Sequence, residues 1–142
     1  MEFTQDHHLN VLNYKKITDF LNDLYQQRKS LDPSFSYEIW AAELDFRSRS
    51  MLRMIVKGRI RVTTNFIDRI LEQLNLNPTQ KNYFILLAHH HNTNVDFMKS
   101  TYFNRMIEMS NFIENEIEFA DYSNFLSHVE IPALHILISY ED

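Results

Sequence analysis

The chain has 142 residues, 44% of them apolar, with one Gly, three Pro and no Cys; this suits one domain, or a small domain with a helical extension, and excludes a chain disordered throughout. So little Gly and Pro excludes turn-rich β sandwiches and barrels, the lone Gly58 excludes a glycine-rich phosphate loop, and the missing Cys excludes disulfides, thiolate metal sites and a thiol nucleophile. With 14 basic and 19 acidic side chains the net charge is −5, so any affinity for nucleic acid must come from a local patch.

Residues 1–15 show little periodicity. They carry acids and a His pair where a signal peptide needs an apolar core, and read as a lead-in with little regular structure. A first helix is expected over residues 18–29, capped by Thr18. Asp19 suits its first turn, Arg28 and Lys29 its last, and Phe20, Leu21, Leu24 and Tyr25 form its apolar stripe. Residues 30–35, with Pro33, form a loop. A second helix takes Ser36 as cap and covers residues 37–44, with Ile39, Trp40 and Leu44 toward the core. Asp45 then leaves it in a left-handed conformation, which Asp tolerates better than most residues.

A third helix starts at Ser48 and runs to Lys57. Leu52 and Ile55 face inward with Met51 or Val56 beside them, while Arg49 and Arg53 lie one turn apart on the outer side. Gly58 ends it at the C′ position. A fourth helix over residues 65–75 is capped by Thr63 or Thr64, with Phe66, Ile67, Ile70, Leu71 and Leu74 inward. A fifth over residues 78–90 opens with Asn77 as cap, Pro78 at the first position and Gln80 three residues after the cap. From Asn94 onward the pattern stays helical but acidic. Met106, Met109, Ile113 and Ile117 recur on one face, and Pro132 must start or kink a helix. The longest apolar run, residues 83–88, is far too short to cross a bilayer, so no membrane partner is expected and the expected compartment is the cytoplasm.

Charge is unevenly distributed. Residues 1–93 carry a net +2 and residues 94–142 a net −7. Residues 46–67 contain no acid, but hold Arg47, Arg49, Arg53, Lys57, Arg59 and Arg61. Charges farther apart than a Debye length of ~8 Å are screened, so this local density sets phosphate affinity. The same region has the order of a helix-turn-helix: a short capped helix, a tight turn, a second short capped helix, then a glycine stop. Arg49, Ser50 and Arg53 sit where a reading helix presents side chains to base edges. Ser36, Ser48, Lys57, Arg59, Arg61 and Thr64 are placed to hold phosphates, through hydroxyls, cations and helix N-termini.

Residues 36–76 resemble the Cro/repressor (XRE-type) helix-turn-helix. More broadly, residues 14–140 are similar to an uncharacterised bacterial family with such a motif at the N-terminus and an all-helical region after it. The resemblance is carried by Phe20-Leu21-Asn22-Asp23-Leu24-Tyr25, Phe35-Ser36-Tyr37, Met51-Leu52-Arg53-Met54-Ile55-Val56-Lys57-Gly58-Arg59, Asn75-Leu76-Asn77-Pro78, Tyr83-Phe84-Ile85-Leu86-Leu87 and Tyr122-Ser123-Asn124-Phe125. Family members usually have Gly where this chain has Asp45, and they are longer. The resemblance implies a regulator of transcription.

Other chemistries fare worse. Three consecutive histidines, His89 to His91, point about 100° apart on a helix and cannot share one ion, so no metal site is expected. His7 and His8 read as a solvated terminus, and His128 and His135 lack a carboxylate partner at a firm spacing. Trp40, Phe20, Phe66 and Phe84 fall at core positions rather than on a stacking platform. Glu108, Glu114, Glu116, Glu118 and Asp121 lack the Glu-x-x-His pairs of a di-metal bundle. No hydrolase, zinc-protease or phosphate-loop motif occurs, so neither catalysis nor a cofactor is expected.

The expectation is therefore an all-α protein: a lead-in at 1–15, a Cro/repressor-like helix-turn-helix bundle at 16–92 and an acidic helical extension at 94–142 that contributes to a homodimer. Its partner would be double-stranded DNA. The rival is a protein-interaction module of the same fold, using Met51, Met54 and Met106 as adaptable contacts and the acidic helices as a surface for a protein partner.

Overall fold

A computed structural model describes the backbone of residues 9–126 and the side chains of residues 9–112. The expectations for His7, His8, His128, Pro132 and His135, and those for the side chains of Ile113, Glu114, Glu116, Ile117, Glu118 and Asp121, lie outside the described residues. Among the described residues the chain is all helical: α1 (Ile17–Leu31), α2 (Tyr37–Glu43), α3 (Arg49–Val56), α4 (Thr64–Leu74), α5 (Pro78–Asn92) and α6 (Asp96–Leu126), after a single 3-10 turn at Val11–Asn13. The chain divides into two compact units, Met1–Met109 and Ser110–Asp142.

The lead-in is more ordered than its sequence suggests. Val11 and Leu12 are buried, Asn10 caps the 3-10 turn through Leu12 N–H, and the turn packs on α5. The Tyr83 hydroxyl donates to the Tyr14 carbonyl at 2.5 Å and accepts from Lys15 Nζ at 3.3 Å. Two adjacent apolar residues are too short a signal for periodicity, yet they suffice once α5 offers a surface.

α1 starts one residue before the expected Thr18. Lys16 stands at the N-cap with no side-chain bond, and Ile17, which is 1% exposed, begins the helix. Burying Ile17 outweighs the hydroxyl cap that Thr18 offers. Ile17, Phe20, Leu21, Leu24, Tyr25 and Arg28 form one buried stripe. At its end Arg28 is 7% exposed, bonds both carboxylate oxygens of Glu43 at 2.5 and 2.9 Å, and lies 4.1 Å from the Phe35 ring centre. Gln73 of α4 joins them, donating to Glu43 and accepting from the Trp40 indole at 3.0 Å. Three helices are thus tied through one satisfied polar network around Trp40.

α2 and α3 end in the same way. At the end of α2, Asp45 N–H bonds the Ala42 carbonyl and Phe46 N–H the Ala41 carbonyl; at the end of α3, Gly58 N–H bonds Ile55 and Arg59 N–H bonds Met54. Each is a Schellman cap, which needs a left-handed residue at C′. Asp45 supplies it with φ 54° and Gly58 with φ 78°. Asn75 closes α4 with φ 54°. α5 opens with the expected capping box, Gln80 N–H to Asn77 at 2.8 Å and Asn77 N–H to Gln80 at 3.0 Å.

The core holds Trp40, Leu52, Ile55, Phe66, Ile70, Tyr83, Phe84 and Leu87, all at most 1% exposed. α3 packs on α2 and α1, and α5 packs on α1 and α4. The inward assignment of Ile39 fails, since it is 40% exposed, and Ile67 and Leu71 are only half-buried; of the two candidates beside Leu52 and Ile55 it is Val56 that is buried, while Met51 is 42% exposed.

Candidate nucleic-acid interface

α3 is eight residues long, about 12 Å at 1.5 Å per residue, which matches a major groove ~12 Å wide. Its inner face is spent on Leu52, Ile55 and Val56. Arg49, Ser50, Met51, Arg53, Met54 and Lys57 are all exposed. Ser48 caps the helix by accepting from Met51 N–H at 3.0 Å, and Ser36 caps α2 by accepting from Ile39 N–H at 3.2 Å. Each hydroxyl keeps its own O–H for a phosphate oxygen.

Arg49 and Arg53 are not equivalent. Arg49 is paired with Glu38 of α2 at 3.0 Å, both being well exposed. That pair must open before Arg49 meets a base, and an exposed pair opens at little cost. Arg53 makes no ion pair among the described residues. It lies near Tyr37 of α2, whose phenol burial raises above 10.0, Tyr25 adding to the rise and Arg53 opposing it. Tyr37 is itself stacked on Tyr25 at 4.0 Å, so the surface beside Arg53 is held by α1.

The loop between α3 and α4 has a built support that the sequence reading missed. The Asn92 amide at the end of α5 accepts from Val62 N–H at 2.8 Å and donates to the Val62 carbonyl at 2.9 Å. His91 Nε2 donates to the Ile60 carbonyl at 3.1 Å. Val62 is buried, and the alternation turns Arg59 and Arg61 outward. The cap of α4 is Thr63, which accepts from Phe66 N–H at 3.1 Å. Thr64 is therefore the first helical residue, exposed beside the cap.

From Arg47 to Arg61 six exposed cations follow one another with no acid between them. Of the acids that precede the run, Glu38 is engaged with Arg49, Glu43 with Arg28 and Asp45, at 3.5 Å, with Arg69. Exposed Ile39, Met51 and Met54 add an apolar element on the same two helices. Met106 is fully buried and cannot serve as the adaptable contact expected of it. No group of three or more metal-ligating side chains occurs among the described residues, and none of their helices is long and apolar enough to cross a membrane. The chain matches no family model, no curated protein and no solved structure.

Proposed function

We propose that the chain binds double-stranded DNA through α3 and acts as a transcriptional regulator of the Cro/repressor-like helix-turn-helix type. The observation that carries this reading is the unbroken row of outward cations along α3 and the loop after it, set on a rigid helix of groove width. Arg53 and Ser50 read base edges, joined by Arg49 once Glu38 lets go. Lys57, Arg59 and Arg61 follow the phosphates, with the hydroxyls of Ser36, Ser48 and Thr64. Two copies pair so that two α3 helices meet successive half-sites, with exposed Phe97 and Phe103 available to that contact.

Two measurements test it. Fluorescence anisotropy on a random duplex should show binding that weakens steeply as salt rises from about 50 to 200 mM. Selection from a random duplex pool should then return one enriched motif. No binding at low salt would remove the proposal and favour the second reading, a protein-interaction surface. That reading draws on Ile39, Met51 and Met54, each about 40% exposed where a pure phosphate binder needs no apolar surface.

A further inference from the structure

A cleft of about 390 Å³ opens where the start of α1, the end of α3 and the junction of α5 with α6 come together; its charged and polar lining is Lys16, Thr18, Lys57, His90, His91 and Lys99. No carboxylate lines it. Three lysines from three different elements therefore line one space with no carboxylate among its lining residues. Their placement is built, not incidental. Lys99 Nζ is held by the carbonyls of His90 at 3.0 Å and Thr93 at 3.4 Å. Gly58 lets the end of α3 close on α1, since a Cβ there would stand 2.9 Å from Thr18 Cγ2. Lys16 leaves the first turn of α1 without a side-chain cap. The crowding is felt inside the cleft: His90 is pushed below its ordinary 6.5 by burial first, then by Lys99, His91 and Lys16.

We propose that this cleft binds the phosphate group of a small phosphorylated molecule. Lys16 and Lys57 are exposed at the mouth of the cleft and Lys99 and His90 half-buried within it, and like charges gathered there attract an anion. A phosphate monoester carries about −1.5 to −2 at neutral pH, a better match to three ammonium groups than a single carboxylate. Lysine serves phosphate as a point charge, whereas planar carboxylate recognition favours the arginine fork, which is absent here. The volume falls within the ~300–1,000 Å³ of small-molecule pockets, so an organic portion fits beside the phosphate. Because Lys57 and Gly58 end α3, occupancy would tie that helix to α1 and α6. The proposal stands whether or not the chain binds DNA.

The test is titration of the full chain with inorganic phosphate and then pyrophosphate, at ionic strength matched with chloride, followed by NMR. The expected result is a saturable shift of the Thr18 and Gly58 amides and the His90 ring with one common Kd. The double variant Lys16→Gln/Lys57→Gln should bind about tenfold or more weakly, as expected when two near charges are lost, while Lys81→Gln at the far end of α5 should match the wild type. Shifts that track ionic strength alone, or that appear equally at Arg59 and Arg61, would overturn the proposal. So would unchanged binding in a double variant whose melt shows it folded. A last arm adds a 20-base-pair duplex to the phosphate-loaded chain. Joint occupancy supports a small-molecule site; displacement that persists in Lys57→Gln, and so does not run through the lysine shared with the DNA contacts, assigns the cleft to backbone phosphate and overturns it. A chain that binds phosphate but no duplex would defeat the DNA reading and leave this one intact.

Discussion

Asp45 holds a left-handed backbone with φ 54° at the turn between α2 and α3. Its Arg69 contact is long and Asp45 is 84% exposed, so the backbone cost dominates over the ion pair. Asp45→Gly should therefore stabilise the fold by about 0.5–1 kcal/mol, and Asp45→Ala should destabilise it by about 1 kcal/mol. Thermal melts check both, and a lower melting temperature for the glycine variant would contradict the argument. Gly58 is a different case, because its left-handed backbone is combined with the close approach of Thr18. At the interface, Arg53 and Arg59 make a matched pair of tests. Arg53→Ala should cost about 1–3 kcal/mol on the selected site and little on a scrambled duplex. Arg59→Ala should weaken both duplexes alike and lower the salt slope by about 1.

The α3–α4 loop shows how one element positions another. Its basic residues face outward because Val62 faces inward, and Val62 is held there by both arms of the Asn92 amide. Asn92→Ala removes two bonds at a buried backbone, with a loss of about 2–3 kcal/mol. Hydrogen exchange should accelerate at Val62 before it does in α1. Salt-dependent DNA binding should weaken with it, since Arg59 and Arg61 lose a fixed loop. Unchanged exchange at Val62 would show that burial alone holds the segment. The ends of α2 and α3 follow the same logic, for both close by Schellman caps that aim the next residues, Phe46 into the core and Arg59 into solvent.

At the level of the whole chain, the net charge of −5 conceals a basic region before residue 94 and an acidic one after it. The burial of His90, beside the cations of the cleft, should make stability depend on pH. His90 is held below 6.5 by burial and by Lys99, His91 and Lys16, with Lys57 lining the same space. A depressed folded pKa means that the unfolded chain binds the proton more readily. The stabilisation is therefore present above about pH 6.5 and is lost as pH falls through the folded value. Urea melts between pH 7.5 and 5 should show that loss, and His90→Gln should show less of it. Identical slopes in the two proteins would mean that His90 is not responsible.

Helix positions, most caps and the stripe of α1 were legible in the residues because they depend on neighbours three or four apart, a range that periodicity and capping chemistry reach. The capping box of α5, the Ser36 and Ser48 caps, the exit at Asp45 and the stop at Gly58 are all of that kind. The acid-free run of cations was equally plain, as was the outward placement of Arg49 and Arg53. Packing decided the rest. Only packing turns Val11 and Leu12 into core against α5, makes Asn92 a clamp and, with α3 on α1, brings Lys16, Lys57 and Lys99, far apart in sequence, around one cleft. Ile39 and Met51 stayed outside because each short helix has one buried side, and which side that is depends on where its neighbours lie.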